Sequence, residues 1–596
     1  MQAVTNVCTF FGIFFILLMT ISEAQYLPTE RAARWSPGIP GGIPEAASPV
    51  INAVEDFNVP NDSSADATSS LQTALDEAAA QGGGVVFLQE GTYQIDGELK
   101  FNGDNIVLRG AGPGVTRLYL GYTGHAIFVG MYGRGEWQPV ISAEKGNMTI
   151  TVSDGSLFTP GEFAELQQLN DTALMITDPE WDVDWAQNMV GQMFEVASVD
   201  ENDITFTTPL HYQPRIDRSP EVRPQRLRHH CGIEKLYIEK TANDGHSIII
   251  KNAAYCWVRY VESNTTRNAH IETTCALGCQ FSENYLHHSL SYGGGGSGYG
   301  TSLHTHTSDC LVENNIFNHL RHAMIIQNGA VGNVFAYNFS TDPVQGESDS
   351  DSLNDGWDPP DVSFHGHYAQ YNLCEGNIVT EIGISDYWGP MGPGNTFFRN
   401  EVSGNDGMLI SDHSHRQNII GNRTTAWTDD GTSEDILFHG NVVGSENVQW
   451  DESSGLSKDL PSSLFLKEKP TCWKSTLPWP AIGSDCNGTP QNPASLRWES
   501  GNYFEDASAV YQYHLLPVPL QSSAFFPVRF TSERVVFHSN SNGIIQINDL
   551  LGKCLYHSFK VAGTHSIQIP ICSGMYLVHC FSPNKQKCIV RKMIVP

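Results

Sequence analysis

CLVENN (310–315), NVFAYN (333–338) and NLCEGN (372–377) repeat one short pattern, in which a few mostly apolar residues of strand character end in asparagine. The pattern extends both ways, as RYVESN (259–264) and CQFSEN (279–284) upstream and NTFFRN (395–400), QNIIGN (417–422) and LFHGN (437–441) downstream. The closing asparagines stand at 264, 284, 315, 338, 377, 400, 422 and 441, so the intervals are 20, 31, 23, 39, 23, 22 and 19 residues. One coil of a parallel β-solenoid takes about 20–25 residues, so most intervals are one coil and the long ones carry loops. Asparagine suits a repeated corner because it tolerates left-handed backbone and its amide can bond to the coils above and below. These asparagines are read as structural. The long intervals place loops at residues 289–300 and 342–361, and protruding loops are where function tends to gather.

Upstream, Ser70–Gln81 carries Leu71, Ala74, Leu75 and Ala78 at helical spacing, and Gly82–Gly84 ends it. GGGVVFLQEGTYQI (82–95) and NIVLRGAGPGVTRL (105–118) read as short buried strands joined by glycine turns. This helix and these two segments resemble the N-terminal cap and first coils of the pectate-lyase superfamily, which includes rhamnogalacturonase, polygalacturonase-like and tailspike-like members. The acidic stretch usual before the helix is altered here to Pro60-Asn61-Asp62-Ser63-Ser64-Ala65-Asp66. The resemblance implies an all-β, right-handed parallel β-helix acting on an extracellular polysaccharide. The helix is expected over residues 51–450, preceded by an extended Pro/Gly-rich arm at 25–50. A small β module is expected as an insertion over 145–212, where the coil pattern breaks. Residues 451–525 read as irregular Trp/Pro-rich chain. Residues 526–596 form a further β module, expected to be sandwich-like. It resembles the C-terminal sorting domain of the type IX secretion system, without its usual Pro-Asn-Pro opening, and the resemblance implies secretion machinery as a partner.

Phe10–Ile21 is an apolar run followed by Ser22-Glu23-Ala24, the form of a signal peptide over 1–24 and too short to span a bilayer. No later stretch is long and apolar enough to predict a membrane span, so a secreted or surface-attached protein is expected. A formal charge of −31 argues against a nucleic-acid partner, which needs a basic face, and mildly against a very acidic polymer. Cys256, Cys279, Cys310 and Cys374 fall inside apolar patterns and read as buried thiols, while Cys472 and Cys486 flank a loop and would be able to pair. No cysteine spacing suits structural zinc.

Three His-x-His pairs stand at similar distances before the closing asparagines: His304 and His306, His365 and His367, and His413 and His415. On a strand, residues two apart share a face, so each pair would present two imidazoles together, and stacking would align the first two pairs through Gln327 and Gly329. A polar face, an active-site cleft and a metal site of histidine with carboxylate are all consistent with this pattern. Hydrolysis of a glycosidic bond needs a carboxylic acid and a carboxylate. Asp355, Asp358, Asp361, Asp386 and Asp412 supply that pool, with His365 and His367 adjacent and Arg321 and His322 one coil away. Trp357, Tyr387 and Trp388 would stack on sugar rings, and His304, His306, Arg399, His413 and His415 would bind substrate. A lyase of the same fold would instead use a base with Arg321, His322, Arg399 or Arg416, and implies Ca2+ or an arginine to neutralise a uronate. Of the polygalacturonase motifs only His365-Gly366 is echoed. Gly293–Gly296 lacks the lysine and the strand–helix setting of a phosphate loop and reads as a cleft loop. A glycoside hydrolase is the leading expectation, with a lyase and a non-catalytic glycan-binding adhesin as rivals, since one fold hosts all three.

Overall fold

The computed structural model describes residues 26–28, 30–45, 49–344, 359–385, 388–470, 472–474 and 476–504, and the strands between 528 and 595. Two units separate, Met1–Leu516 and Pro517–Pro596.

The first unit is a parallel β-helix. Among the described residues, each full coil adds one strand to each of three sheets. The first sheet has 12 strands, from Val50–Asn52 to Leu437–His439. The second also has 12, from Asp62–Asp66 to Val442–Val443. The third has 11, among them Leu99–Phe101 and Trp427–Asp429 at the two ends of its stacking order. Apolar side chains at matching register fill the interior in one continuous core from Ile51 to Ile419. The expected helix is present as Thr68–Ala80, and its Leu71, Ala74, Leu75 and Ala78 are buried against the first coils.

The closing asparagines form a ladder at the corner between the first and second sheets. Asn284, Asn315, Asn338, Asn377, Asn400 and Asn422 each donate from Nδ2 to the next Oδ1 at 2.9–3.0 Å, ending on Asn441, whose own Nδ2 donates to Ile419 O at 2.7 Å. Each of those Oδ1 atoms also accepts the backbone N–H of the preceding asparagine, at 2.9–3.1 Å. Asn264 departs from the expectation: it lies on the second sheet bonded to Tyr237, and Val261 takes its corner. A second ladder, Asn333, Asn372 and Asn395 ending on Gln417, lines the corner before the first sheet. Cys256, Cys279, Cys310 and Cys374 are buried thiols as expected.

The arm is packed rather than extended into solvent. It runs down the outside of the first sheet, from late coils to early ones. Arg31 bonds Asp435, Trp35 Nε1 donates to Tyr371 O at 2.8 Å, Gly38 N to Asp309 O at 2.7 Å, and Glu45 pairs with Arg259 at 3.2 Å. Residues 445–482 wrap the same face, burying Leu460, Phe465 and Trp473 against Leu373 and Phe398, and the helix Pro493–Ser500 packs on the second sheet beside Tyr285 and Ile316. Cys486 is a free thiol, so the pairing with Cys472 is not made.

The inserted module is a closed six-stranded antiparallel barrel whose strands lie between Gln138 and Gln225, so it begins earlier and ends later than 145–212. Its seat on the helix requires glycine. At Gly329, φ is +69°, and a Cβ there would stand 1.4 Å from Met189 O. The second unit has a three-stranded and a four-stranded antiparallel sheet, a β module as expected. The signal segment lies outside the described residues, and no described helix is long and apolar enough to cross a membrane.

Candidate functional site

Along the third sheet, side chains alternate between the core and the outside. Ile271, Thr301, Met324 and Val362 are register partners in one row, and Ile249, Glu272, Ser302, Ile325 and Ser363 in the next. Beside the second row lies a cleft of about 670 Å³. Glu272, His304, Gln327 and His365, from successive coils, line it together with His246, Tyr299, Arg321 and Trp388. The backbone of Gly294–Gly296 borders it, so the 289–300 loop is a cleft loop.

The hydrogen bonds assign protons. Ala269 N donates to His246 Nδ1 at 3.1 Å, so that nitrogen is unprotonated and Nε2 carries the hydrogen. His246 Nε2 then donates to Glu272 Oε2 at 3.0 Å. The His246 ring is stacked on His125, with centroids 4.8 Å apart. His304 Nε2 lies 3.9 Å from the same Glu272 oxygen. Gln327 and Asn328 amides grip the two His304 nitrogens at 2.6 and 3.1 Å. Burial works to raise the Glu272 carboxyl, but the His304, His246 and His125 imidazoles outweigh it and hold the group down at about 2. Burial lowers His304, against the pull of Glu272. The cleft therefore holds a carboxylate paired with His246 and flanked by His304, whose charged form burial disfavours.

Of the expected site residues, His304, His365, Arg321 and Trp388 meet in this cleft. Arg321 Nη1 also donates to Gly293 O at 3.3 Å. His322 is fully buried and bonds Pro360 O through Nδ1 at 2.6 Å, so it braces the coil rather than facing solvent. Asp361 is also a buried brace, accepting Thr380 N and Glu381 N at 3.0 and 2.7 Å, and burial raises its carboxyl. The first two His-x-His pairs do not present two rings on one face, because the strands end first, whereas His413 and His415 keep their rings side by side with centroids 5.9 Å apart. His306 and His367 have φ of 55° and 46°, left-handed turns that break the alternation. His306 turns to the barrel. His367 packs between Trp185 and Trp388, with centroids at 4.9 and 5.3 Å. His413 and His415 lie two coils beyond His365, where Thr432 and Glu434 meet them. Arg399 is buried on the first sheet, clamped by Asp485 and by Pro461 O at 2.8 Å, so it holds the outer wrap and not a ligand. Asp412 accepts the Thr177 hydroxyl at 2.8 Å. Asp355, Trp357, Asp358, Asp386 and Tyr387 lie outside the described residues.

Two metal readings can be tested against donors. Ca2+ takes six to eight oxygens, and the described cleft lining offers one carboxylate among imidazoles and a guanidinium, which does not fit. Glu165, Cys275 and His306 converge at the barrel seat. There, however, His306 Nδ1 faces Glu165 Oε1 at 2.9 Å and Nε2 faces Asn188 O at 2.8 Å, so both nitrogens meet acceptors and the imidazolium satisfies both. Arg223 takes the other Glu165 oxygen. The trio is an ion pair that fastens the barrel.

Sequence reasoning missed Glu272, His246 and Tyr299. The signal was present for the first. Counting 11 residues back from Asn315 reaches His304 and 12 back from Asn377 reaches His365, and 12 back from Asn284 reaches Glu272.

Residues 50–178 match the family described as rhamnogalacturonase A/epimerase, pectate lyase-like. Among curated proteins none matches the chain significantly. Among solved structures, the tailspike gp49 of Pseudomonas phage LKA1 is 14% identical, with 60% of this chain and 57% of that one covered and a TM-score of 0.46. A mannuronic acid specific polysaccharide family 6 lyase from human gut microbiota is 12% identical over 62% and 78%, with a TM-score of 0.33. PfbA, a surface adhesin of Streptococcus pneumoniae, is 11% identical over 65% and 89%, with a TM-score of 0.33. Residues 50–178 thus match a pectate-lyase-like family model, and the three stacked parallel sheets make the first unit a parallel β-helix.

Proposed function

We propose that the chain is an extracellular enzyme that cleaves a uronate-containing polysaccharide by β-elimination in the third-sheet cleft. The observation that carries this reading is the meeting of Arg321, His304 and Glu272 in one cleft, with His304 Nε2 3.9 Å from the Glu272 carboxylate. A hydrolase needs a carboxylic acid that keeps its proton near neutral pH. Glu272, the one carboxylate of the described lining, is instead paired with His246 at 3.0 Å. Elimination needs a group to neutralise the uronate carboxylate, a base for the proton beside it and a donor for the leaving oxygen. Arg321 fits the first role. His304, neutral and gripped by Gln327 and Asn328, fits the second, and Glu272 at 3.9 Å stabilises the imidazolium as it forms. Tyr299 and His365 stand in the same cleft as proton donors for the leaving oxygen. The family match at residues 50–178 supports a carbohydrate substrate. The Pro517–Pro596 unit is assigned to export on its resemblance to sorting domains.

The test is to incubate the protein with uronate polymers while following reducing ends and ultraviolet absorbance together. Both signals rising is the expected result. Reducing ends without absorbance would mean hydrolysis, and binding without either signal would mean a glycan-binding protein.

A further inference from the structure

The barrel faces the cleft with one loop, residues 170–189, and that loop is fastened to the helix at separate points. Thr177 bonds Asp412, Asn188 O accepts from His306, Met189 abuts Gly329, and Trp181 packs over Gly389. At the centre of this anchored loop, Trp185 is 56% exposed, and among the described residues it is the one tryptophan among the exposed large apolar side chains. Burial would be the ordinary fate of an indole. Its ring stands edge-on to Trp388, with centroids 6.1 Å apart at 74°, and 4.9 Å from His367. Trp388 is itself a cleft-lining residue. The indole corner therefore continues the cleft onto the inserted barrel.

We infer that Trp185 and Trp388 form a sugar-stacking subsite through which the inserted barrel holds the polymer beyond the cleft. An indole face suits the C–H face of a pyranose. Exposed Asp178, Glu180, Asp182 and Asp184 lead up to Trp185 in the sequence, and their charge disfavours a carboxylated ring. The ring taken here is an uncharged sugar, while Arg321 receives the uronate, so the favoured polymer mixes the two. The rigidity comes from the four anchors, which leave the Trp185 side chain little ordering entropy to lose on binding.

This inference rests on the cleavage reading for its choice of ligand, and the experiment separates the two. Full-length wild type, W185A and W185F would be titrated with hyaluronan and xanthan, which mix acidic and neutral sugars, and with polygalacturonate, which does not. Binding is read by intrinsic fluorescence and affinity electrophoresis, and cleavage is followed in parallel. The expected result is about a tenfold weaker Kd of W185A for a mixed polymer, largely restored in W185F, with a smaller change for polygalacturonate. Equal binding by W185A and wild type overturns the subsite and leaves cleavage standing. Weaker binding by W185A with no cleavage by wild type keeps the subsite and overturns the enzyme. Failure of wild type to bind any of the three polymers overturns both.

Discussion

Glu272 is a half-buried acid and Glu375 a fully buried one, and their surroundings push them in opposite directions. Glu272 is surrounded by imidazoles and is held at about 2. For Glu375 burial dominates over the help of Ser463, Leu464 N and Tyr337, and its carboxyl is pushed up to about 7. The first difference bears on chemistry. H304A removes the proposed base and is expected to lower cleavage about 10²- to 10⁴-fold. E272Q removes the charge that stabilises the imidazolium and is expected to cost roughly a hundredfold. Steady-state rates on a cleavable polymer check both. The second difference bears on stability. A carboxyl raised above its unfolded value of 4.5 stabilises fully below that pH, and the contribution is lost as pH rises through about 7. E375Q keeps neutral partners for Tyr337 OH and Leu464 N, so above neutral pH it is expected to melt higher than wild type, by on the order of 3 kcal/mol. Thermal melts from pH 5 to 8 would show wild type declining and the variant flat. None of this was legible residue by residue. A glutamate in AHIETT carries no mark of its pKa, which depends on imidazoles from other coils.

At the scale of elements, the closing asparagines were legible because their signal is local and repeated, and their one failure is instructive. RYVESN ends in asparagine like the others, yet Asn264 bonds Tyr237 while Val261 takes the corner. N338A removes an amide that donates to Asn377 and Val312 O and accepts twice from Asn315. Leaving those buried groups unmet is expected to cost about 3 kcal/mol or more in denaturant melts. N264A, part-exposed, is expected to cost under about 1 kcal/mol. The His-x-His reading failed for a related reason. Alternation holds inside a strand, and His306 and His367 sit in the turn after one. The barrel seat was invisible because one glycine among many carries no label. G329A drives a Cβ against Met189 O and is expected to loosen the 170–189 loop, read as faster proteolytic cutting there with the β-helix melt little changed.

For the whole molecule, coil counting identified a parallel solenoid, while the packing of the outer wrap was not legible. Arg399 read as a ligand-binding cation and is instead a buried clamp, because its partners Asp485, Pro461 and Leu460 come from a segment without periodicity. Solenoids join each repeat only to its neighbours, so their ends can fray separately. The arm opposes this by tying coils near Arg259, Asp309, Tyr371 and Asp435 to one segment. Deletion of residues 26–45 is expected to split one unfolding transition into at least two, with the late coils melting first. Denaturant curves followed by tryptophan fluorescence and by circular dichroism, coincident for wild type and separated for the deletion, would check this.

The arm also sets an order in time. Arg31 is among the first described residues to be made, and its partner Asp435 lies 404 positions later in the chain. Until the last coils exist, only the part of the arm around Gly38 and Glu45 has its partners, and the Arg31 end has nothing to close upon. Completion of the fold is therefore the closing event of synthesis and not a running one. A chain built this way reaches its tightest form only after nearly all of it has emerged.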